Sequence, residues 1–416
     1  MTPLDCCRQA LAVEYARIAA TRLPNRAQAL LALVRAGETL ALEGDSAPAA
    51  RPGWNLALRL GLEQRDNEDD SEQVDQAELA AWAARFLDDC DQLALAGLVL
   101  AQCESGQVRL QQRGPHDFVA WATSRRRTPE QRERADFDWW SAQVARQVAP
   151  RLAALLSERP PLREVIGQDD LPVAGLVGAA TRDPASEQYY RRLGEAYVAR
   201  FACQQSYPAG AMIGSATFGQ YTAILALLIG WLYRERDRHT PDNDLPPIFW
   251  DEQALISALA EALDAEPAAV GRTVQPFIFD RDNAAYHSAM PSHAAPPLIR
   301  PEAGRVIWSA RGLLGEPLIF LARELRRRYA QEYHNSAYLR EGVFRQDLYR
   351  LFDDRRFALS AGRVELKRSG QARTDLDALV FDRKTGTLGV FELKAQDPFA
   401  RSVEERQRQR DTFFHA

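Results

Sequence analysis

The chain has 416 residues, 46% hydrophobic and 26% charged. This composition belongs to a globular protein and excludes wholly disordered, collagenous and coiled-coil classes. Its 52 basic and 57 acidic residues leave a net charge of −5. The charge is uneven: residues 340–416 carry 16 basic and 13 acidic residues, and 1–339 carry 36 and 44, so a mildly basic end follows an acidic body. That asymmetry fits a polyanion-binding C-terminal module.

At roughly 100–200 residues per domain the length predicts two or three domains. Residues 1–239 read as a helical domain, rich in Ala, Leu, Arg and Glu, all good helix formers. The helical stretches are Ala27–Leu42, Ala77–Cys103, Asp136–Ala149 (ended by Pro150), Gln188–Ala202 and Thr217–Arg238. Trp139 and Trp140 read as core anchors. The acidic run Glu63–Asp75 reads as a solvated loop. The longest mostly apolar run, Tyr221–Tyr233, is shorter than the roughly 18 residues a bilayer span needs, so it reads as a buried helix and no membrane partner is expected. The start of the chain lacks a basic-then-apolar leader, and the expected location is cytoplasmic. Cys6, Cys7, Cys90, Cys103 and Cys203 show neither an even count nor zinc spacing, and read as reduced structural thiols.

Residues 240–335 form a second, mostly helical region with proline-rich connections. The 240–247 stretch is turn-rich, Trp250–Leu263 has the pattern of an amphipathic helix, and Met290–Gly304, with four prolines, reads as an irregular connection. Pro317–Tyr333 resumes as helix, with a basic face of Arg323, Arg326, Arg327 and Arg328 that reads as solvated.

The texture changes in 336–416. A helix over Tyr338–Phe352, with Phe344, Leu348, Leu351 and Phe352 facing inward, precedes three strands at Phe357–Lys367, Thr374–Asp382 and Thr387–Ala395. Asp397-Pro398 then opens a last helix, with Asp397 as its N-cap. The result is an α-β-β-β-α unit. A symmetric hairpin about Lys384–Thr385 sets Asp377 opposite Glu392, with Lys394 two residues along the same face; a glycine bulge at Gly386 would slip this pairing by one and leave the groups near each other. Two opposed carboxylates repel unless a cation lies between them. Mg²⁺ takes one or two carboxylates, keeps waters and binds phosphate oxygens. Strands apolar on both faces are usually buried, which here argues against an idle surface cluster. Lysine is rare, at Lys367, Lys384 and Lys394 only, in a chain that otherwise uses arginine.

Thr374-Asp-Leu-Asp-Ala-Leu-Val followed by Phe391-Glu-Leu-Lys394 resembles the motif of the PD-(D/E)XK, or restriction-endonuclease-like, nuclease superfamily. The resemblance covers about the last 80 residues. Added to the mainly α-helical reading of the first two-thirds, it implies a multidomain chain ending in an α/β restriction-endonuclease-like core. That core stops short of the family's further strand, because only 22 residues follow Lys394: the chain is truncated there or completes its sheet differently. It implies a Mg²⁺-dependent nuclease hydrolysing phosphodiester bonds, with Mn²⁺ as substitute ion, DNA as nucleic-acid partner and the helical region for recognition, regulation, or a protein partner or oligomer contact. Asp377 and Glu392 would be metal ligands, joined by the Leu393 carbonyl, and Lys394 would position or deprotonate the attacking water. Gln396 could touch substrate or water, Asp375 is a further acidic group, and either Glu341, the preferred one, or Asp347 could serve as the family's helix glutamate. The motif departs from the family at Leu376, where proline is usual. Two other classes fit the same residues: a catalytically inactive nuclease-like nucleic-acid-binding or interaction protein, and a helical adaptor whose C-terminal module only binds nucleic acid. A second Glu-x-Lys, Glu365 with Lys367, lacks an acidic strand at hairpin distance upstream and reads as a decoy.

Overall fold

The computed structural model describes residues 2–21, 26–42, 51–63, 75–115, 117–123, 129–158, 184–204, 207–238, 249–289, 294–393, 397, 400, 405 and 408–409. Lys394, Gln396, the 240–247 stretch, most of the acidic run and most of the helix expected from Pro398 lie outside the described residues; Glu405, Arg408 and Gln409 of that segment are helical. The described chain is mostly helical with several small sheets. Its first part comprises α1 (Pro3–Ala19), α2 (Arg26–Leu42), α3 (Trp54–Glu63), α4 (Gln76–Glu104), a hairpin of β1 (Val108–Gln112) and β2 (Phe118–Ala122), α5 (Pro129–Ser157) and α6 (Pro184–Ala199). A short hairpin, β3 (Met212–Ile213) and β4 (Ala216–Thr217), leads into α7 (Phe218–Arg238). The two hairpins are additions to the all-helical expectation for this part.

Where the sequence suggested helix and irregular connections, the chain builds a four-stranded sheet. Its members are β5 (Phe249–Asp251), β6 (Ile278–Phe279), β7 (Leu298–Glu302) and β8 (Arg305–Trp308), in the order β5-β8-β7-β6. Helices α8 (Glu252–Leu263), α9 (Pro267–Val274) and α10 (Arg281–His287) connect the early strands. Residues 249–251 are therefore strand, not the first turn of a helix, and the proline-rich stretch contributes β7. Pro301 is tolerated there because the β7–β8 register slips between Ile299 and Glu302, where a ladder donor is not needed. Gly304, at φ +79°, makes the turn into β8.

This sheet is the wall between two hydrophobic cores. Ile278, Leu298, Val306 and Trp308 face one core, shared with α6 to α9; Phe279, Ile299 and Ile307 face the other, shared with α2 to α4. Strands buried on both faces read as plain apolar runs without alternation, which is why they escaped the sequence pattern. Both cores draw residues from either side of position 240. The apolar run of α7 is buried as expected, with Leu225, Leu228 and Ile229 fully enclosed. Helices α6 and α7 touch backbone to backbone: a Cβ on Gly194 would lie 1.9 Å from the Ala226 carbonyl oxygen, and one on Gly230 would lie 2.3 Å from that of Tyr190.

Two expectations on α5 are corrected. The helix runs through Pro150, because Leu152 and Leu155 beyond it are buried in the first core. Two buried leucines contribute about 1.5–3 kcal/mol each, enough to offset the roughly 3 kcal/mol of an internal proline. Trp139 and Trp140 are 62% and 54% exposed. The inward stripe of α5 is Arg134, Phe137, Ser141 and Ala145, at helical spacing, so 139 and 140 fall on the outer face. All five cysteines are free thiols, and burial raises Cys90 to about 12. No described helix is long and apolar enough to cross a membrane.

After α11 (Ala310–Leu314), α12 (Pro317–Arg328) and α13 (Ala330–Asn335), helix α14 (Ala337–Arg350) opens the C-terminal module. The arginine face of α12 is engaged rather than solvated. Arg327 and Arg328 pair with the buried Glu324, and Arg326 pairs with Asp397 and Glu405. Asp397 also accepts hydrogen bonds from Tyr333 and Arg340, so this carboxylate ties the segment after the third expected strand to the helical body. The stripe expected to be buried on α14 is largely open: Phe344 is 47% and Leu351 77% exposed.

Candidate active site

Five strands replace the three expected. They are β9 (Phe357–Leu359), β10 (Val364–Arg368), β11 (Gln371–Leu376), β12 (Ala378–Asp382) and β13 (Thr387–Phe391). β10 and β11 form a hairpin of their own; β13-β12-β9 form a three-stranded antiparallel sheet. The first break falls at 360–363. The β10–β11 hairpin closes through Ser369 and Gly370, at φ +54° and +80°, the left-handed pair that a two-residue turn matching strand twist requires. The expected second strand is cut at Asp377, which lies in a bend between β11 and β12.

The β12–β13 register is the one expected from the symmetric hairpin: Asp382 pairs with Thr387 and Ala378 with Phe391, which makes Asp377 and Glu392 the next opposed positions. The turn fixes it. Asp382 accepts from the Lys384 amide at 2.9 Å and the Thr385 hydroxyl at 2.7 Å, and its carbonyl accepts from the Gly386 amide at 2.8 Å, with Gly386 at φ +70°. The hydrogen bond from Arg356 holds the Asp382 carboxyl well below the usual carboxylate range.

Asp377 is 5% exposed. Its Oδ2 accepts the backbone N–H of Leu393, itself buried, at 2.8 Å. One carboxylate thus clamps the end of β13 to the bend between two hairpins, beside Glu392. Glu392 is exposed. The face argument holds for one side only: Ala378 and Val380 are buried, whereas Phe381 is 41% exposed and Leu388 and Val390 across from it are each 54% exposed.

Arg363, which the sequence reading passed over, completes the arrangement. Its guanidinium reaches Asp375 Oδ2 at 2.7 Å, Glu341 Oε2 on α14 at 3.1 Å and Asp377 Oδ1 at 3.4 Å. Glu341, Asp375 and Asp377 therefore converge on one cation. Asp347 does not take part; it pairs with Arg350 on an exposed face. The β10–β11 register places Arg363 one step beyond the Val364–Leu376 pair, next to Asp377. A symmetric count from the Ser369–Gly370 turn would set it opposite Leu376. The bulge between Leu366 and Lys367 shifts the pairing by one, and nothing in the sequence announces it. The decoy pair, Glu365 and Lys367, closes on itself at 3.0 Å with both side chains more than half exposed.

The donors are hard oxygens, the type Mg²⁺ takes, and one or two carboxylates suffice beside retained waters. Asp377 and Glu392 fit that chemistry. Among the described residues no three Asp, Glu, His or Cys groups stand together as a metal-holding set, and Arg363 already neutralises Asp377. Any divalent ion on Asp377 must share it with, or displace, this guanidinium. No protein-family model, no curated protein and no solved structure matches the chain.

Proposed function

We propose that the C-terminal module is a Mg²⁺-dependent nuclease of PD-(D/E)XK type, hydrolysing phosphodiester bonds of DNA in the cytoplasm, with the helical body as its recognition or regulatory part. The observation that carries this reading is Asp377: a buried carboxylate at a strand break, register-opposed to Glu392 and bonded to the amide of Leu393. Burying a carboxylate is costly unless it is paired and hydrogen-bonded; the Leu393 amide and Arg363 meet that need, so what supports the reading is its opposition to Glu392, two residues before Lys394 in the sequence. Asp377 and Glu392 would hold the ion, which would supply a water of lowered pKa and charge for the phosphate. Lys394 follows Leu393 directly in the sequence and would act beside the ion. A compact ammonium suits the orientation of a water or the stabilisation of developing negative charge.

One observation favours a second reading, a nuclease-like nucleic-acid-binding or interaction module without catalysis. Arg363 fills the role of the ion by neutralising three carboxylates at once. Plasmid and oligonucleotides incubated with Mg²⁺ or Mn²⁺, and with EDTA, separate the readings. Metal-dependent cleavage lost in Lys394→Ala and Asp377→Ala supports the nuclease. Cleavage that survives both would falsify the site. Salt-sensitive binding without cleavage supports the second reading.

A further inference from the structure

Trp139 and Trp140, on the outer face of α5, belong to neither hydrophobic core and take no part in the carboxylate site. Trp54, Trp231, Trp250 and Trp308 are buried, whereas this pair is more than half exposed. An enclosed aromatic side chain removes about 150–250 Å² from water, so two tryptophans side by side in solvent mark a contact surface. Their rings lie 6.4 Å apart at 43°, so they are not stacked on one another and each keeps a flat side for a partner.

Helical spacing sets the rest of the face. Gln143 follows the pair by one turn, Arg146 and Gln147 by two, and Arg151 by three. Arg146, Gln147 and Arg151 are exposed. From Trp139 to Arg151 the face runs about 18 Å. The helix has no acidic residue between Trp139 and Ser157, and among the described residues no carboxylate pairs with Arg146 or Arg151. Asp136 and Asp138 precede the tryptophans, and Asp138 is held by Arg134. The face is therefore two open indoles followed by two unpaired guanidinium groups. Flat rings stack on bases of any sequence, and cations beside them meet the phosphates. In a duplex the bases are already stacked on each other, so only a single strand can offer them to an indole. A protein partner would need an apolar patch around the tryptophans, and Gln143, Arg146 and Gln147 stand there instead. We infer that the outer face of α5 is a docking surface for single-stranded nucleic acid, with bases against Trp139 and Trp140 and the backbone along Arg146 and Arg151. This goes beyond the nuclease reading, which assigns no contact on the helical body.

Fluorescence anisotropy of a labelled oligothymidylate of about 12 nucleotides, titrated with the full chain in EDTA, reads this contact without cleavage. The expected result is salt-sensitive binding for which a duplex of equal length competes poorly. Trp139→Ala and Trp140→Ala should each weaken binding by about five- to a hundredfold, the loss of one stacked base, and Trp139→Phe should keep most of the affinity. Arg146→Gln with Arg151→Gln should flatten the slope of log affinity against log salt by about 1.4, the share of two phosphate contacts on a single strand. All four positions are exposed, and a wild-type circular dichroism spectrum checks each fold. Cleavage with Mg²⁺ is a separate readout: its absence leaves the docking surface standing, and cleavage without this binding leaves the nuclease standing. The proposal is overturned if the oligonucleotide does not bind, if the double tryptophan variant binds as well as the wild type, or if the arginine variant keeps the wild-type salt slope. It is also overturned if sedimentation shows self-association that the double tryptophan variant loses while oligonucleotide binding stays, because a second copy then covers the face.

Discussion

Asp377 has two roles that a pair of substitutions can separate. Its carboxylate accepts the buried Leu393 amide at 2.8 Å and faces Arg363 at 3.4 Å. In Asp377→Ala the amide loses its acceptor. A hydrogen bond to a charged group contributes about 1.5–3 kcal/mol, and a buried unsatisfied donor costs a similar amount. The lost contact to Arg363 adds about 0–1 kcal/mol at most, because that guanidinium is half exposed and keeps Glu341 and Asp375. In Asp377→Asn the side-chain oxygen still accepts the amide, and only the charge is gone. Hydrogen–deuterium exchange over 387–393 reads the difference locally. At about 1.4 kcal/mol per factor of ten, the Leu393 amide should exchange about ten- to a hundredfold faster in Asp377→Ala and less than about tenfold faster in Asp377→Asn. Metal-dependent cleavage should be lost in both variants, since a neutral amide is a poor ligand for a hard divalent ion. Equal exchange in wild type and Asp377→Ala would remove the clamp from the argument. Wild-type cleavage by Asp377→Asn would remove the metal-ligand role.

Arg363→Met, which withdraws the resident cation from Glu341, Asp375 and Asp377, should raise Mn²⁺ affinity measured by calorimetry; unchanged or weaker affinity would mean that the guanidinium and the ion do not compete. Gly194→Ala should destabilise the protein by about 1–3 kcal/mol in urea unfolding, because the new methyl meets the Ala226 carbonyl on α7; an unchanged midpoint would contradict the close helix crossing. His287, enclosed between Phe320 and Glu324, has its pKa lowered from 6.5 by burial, so it stays neutral in the fold and protonates more readily when unfolded. Its contribution is present above about pH 6.5 and is lost as pH falls below it, so stability should drop between pH 7 and 5. His287→Gln should flatten that drop, and an unaltered slope would refute the assignment. Glu324 is pushed up by burial, but hydrogen bonds from His287 and Arg327 prevail and hold it at about 2, so its own contribution fades only from about pH 4.5 downward.

The long helices α2 and α4 were legible because propensity sums over long windows: Ala27–Leu42 and Ala77–Cys103 differ from them by a residue at each end or less, whereas α1 and α3 were not singled out. The β12–β13 register was legible to within one residue, because the short turn from Asp382 to Gly386 leaves the symmetric pairing or a one-residue bulge, and the symmetric pairing is the one formed. The sheet that divides the two cores was not, because strands of two to five residues enclosed on both faces carry no periodic signal. Trp139 and Trp140 were misjudged for want of a phase: hydrophobicity says that a residue prefers burial, and only the packing of α5 decides which side of the helix is inside.

What the amino-acid order determined by itself is local: helix stretches, the turn that opposes Asp377 to Glu392, and the run of residue types that resembles a nuclease motif. Tertiary structure alone decided that Asp377 sits in a bend, that its carboxylate grips the Leu393 amide, and that Arg363 reaches it together with Glu341. Those contacts depend on a bulge in one hairpin and on the docking of α14, so they join residues 14 to 22 positions apart through register and packing. Local preference cannot encode a distance between such segments; it arises when the chain buries its apolar surface and the remaining charges must find partners.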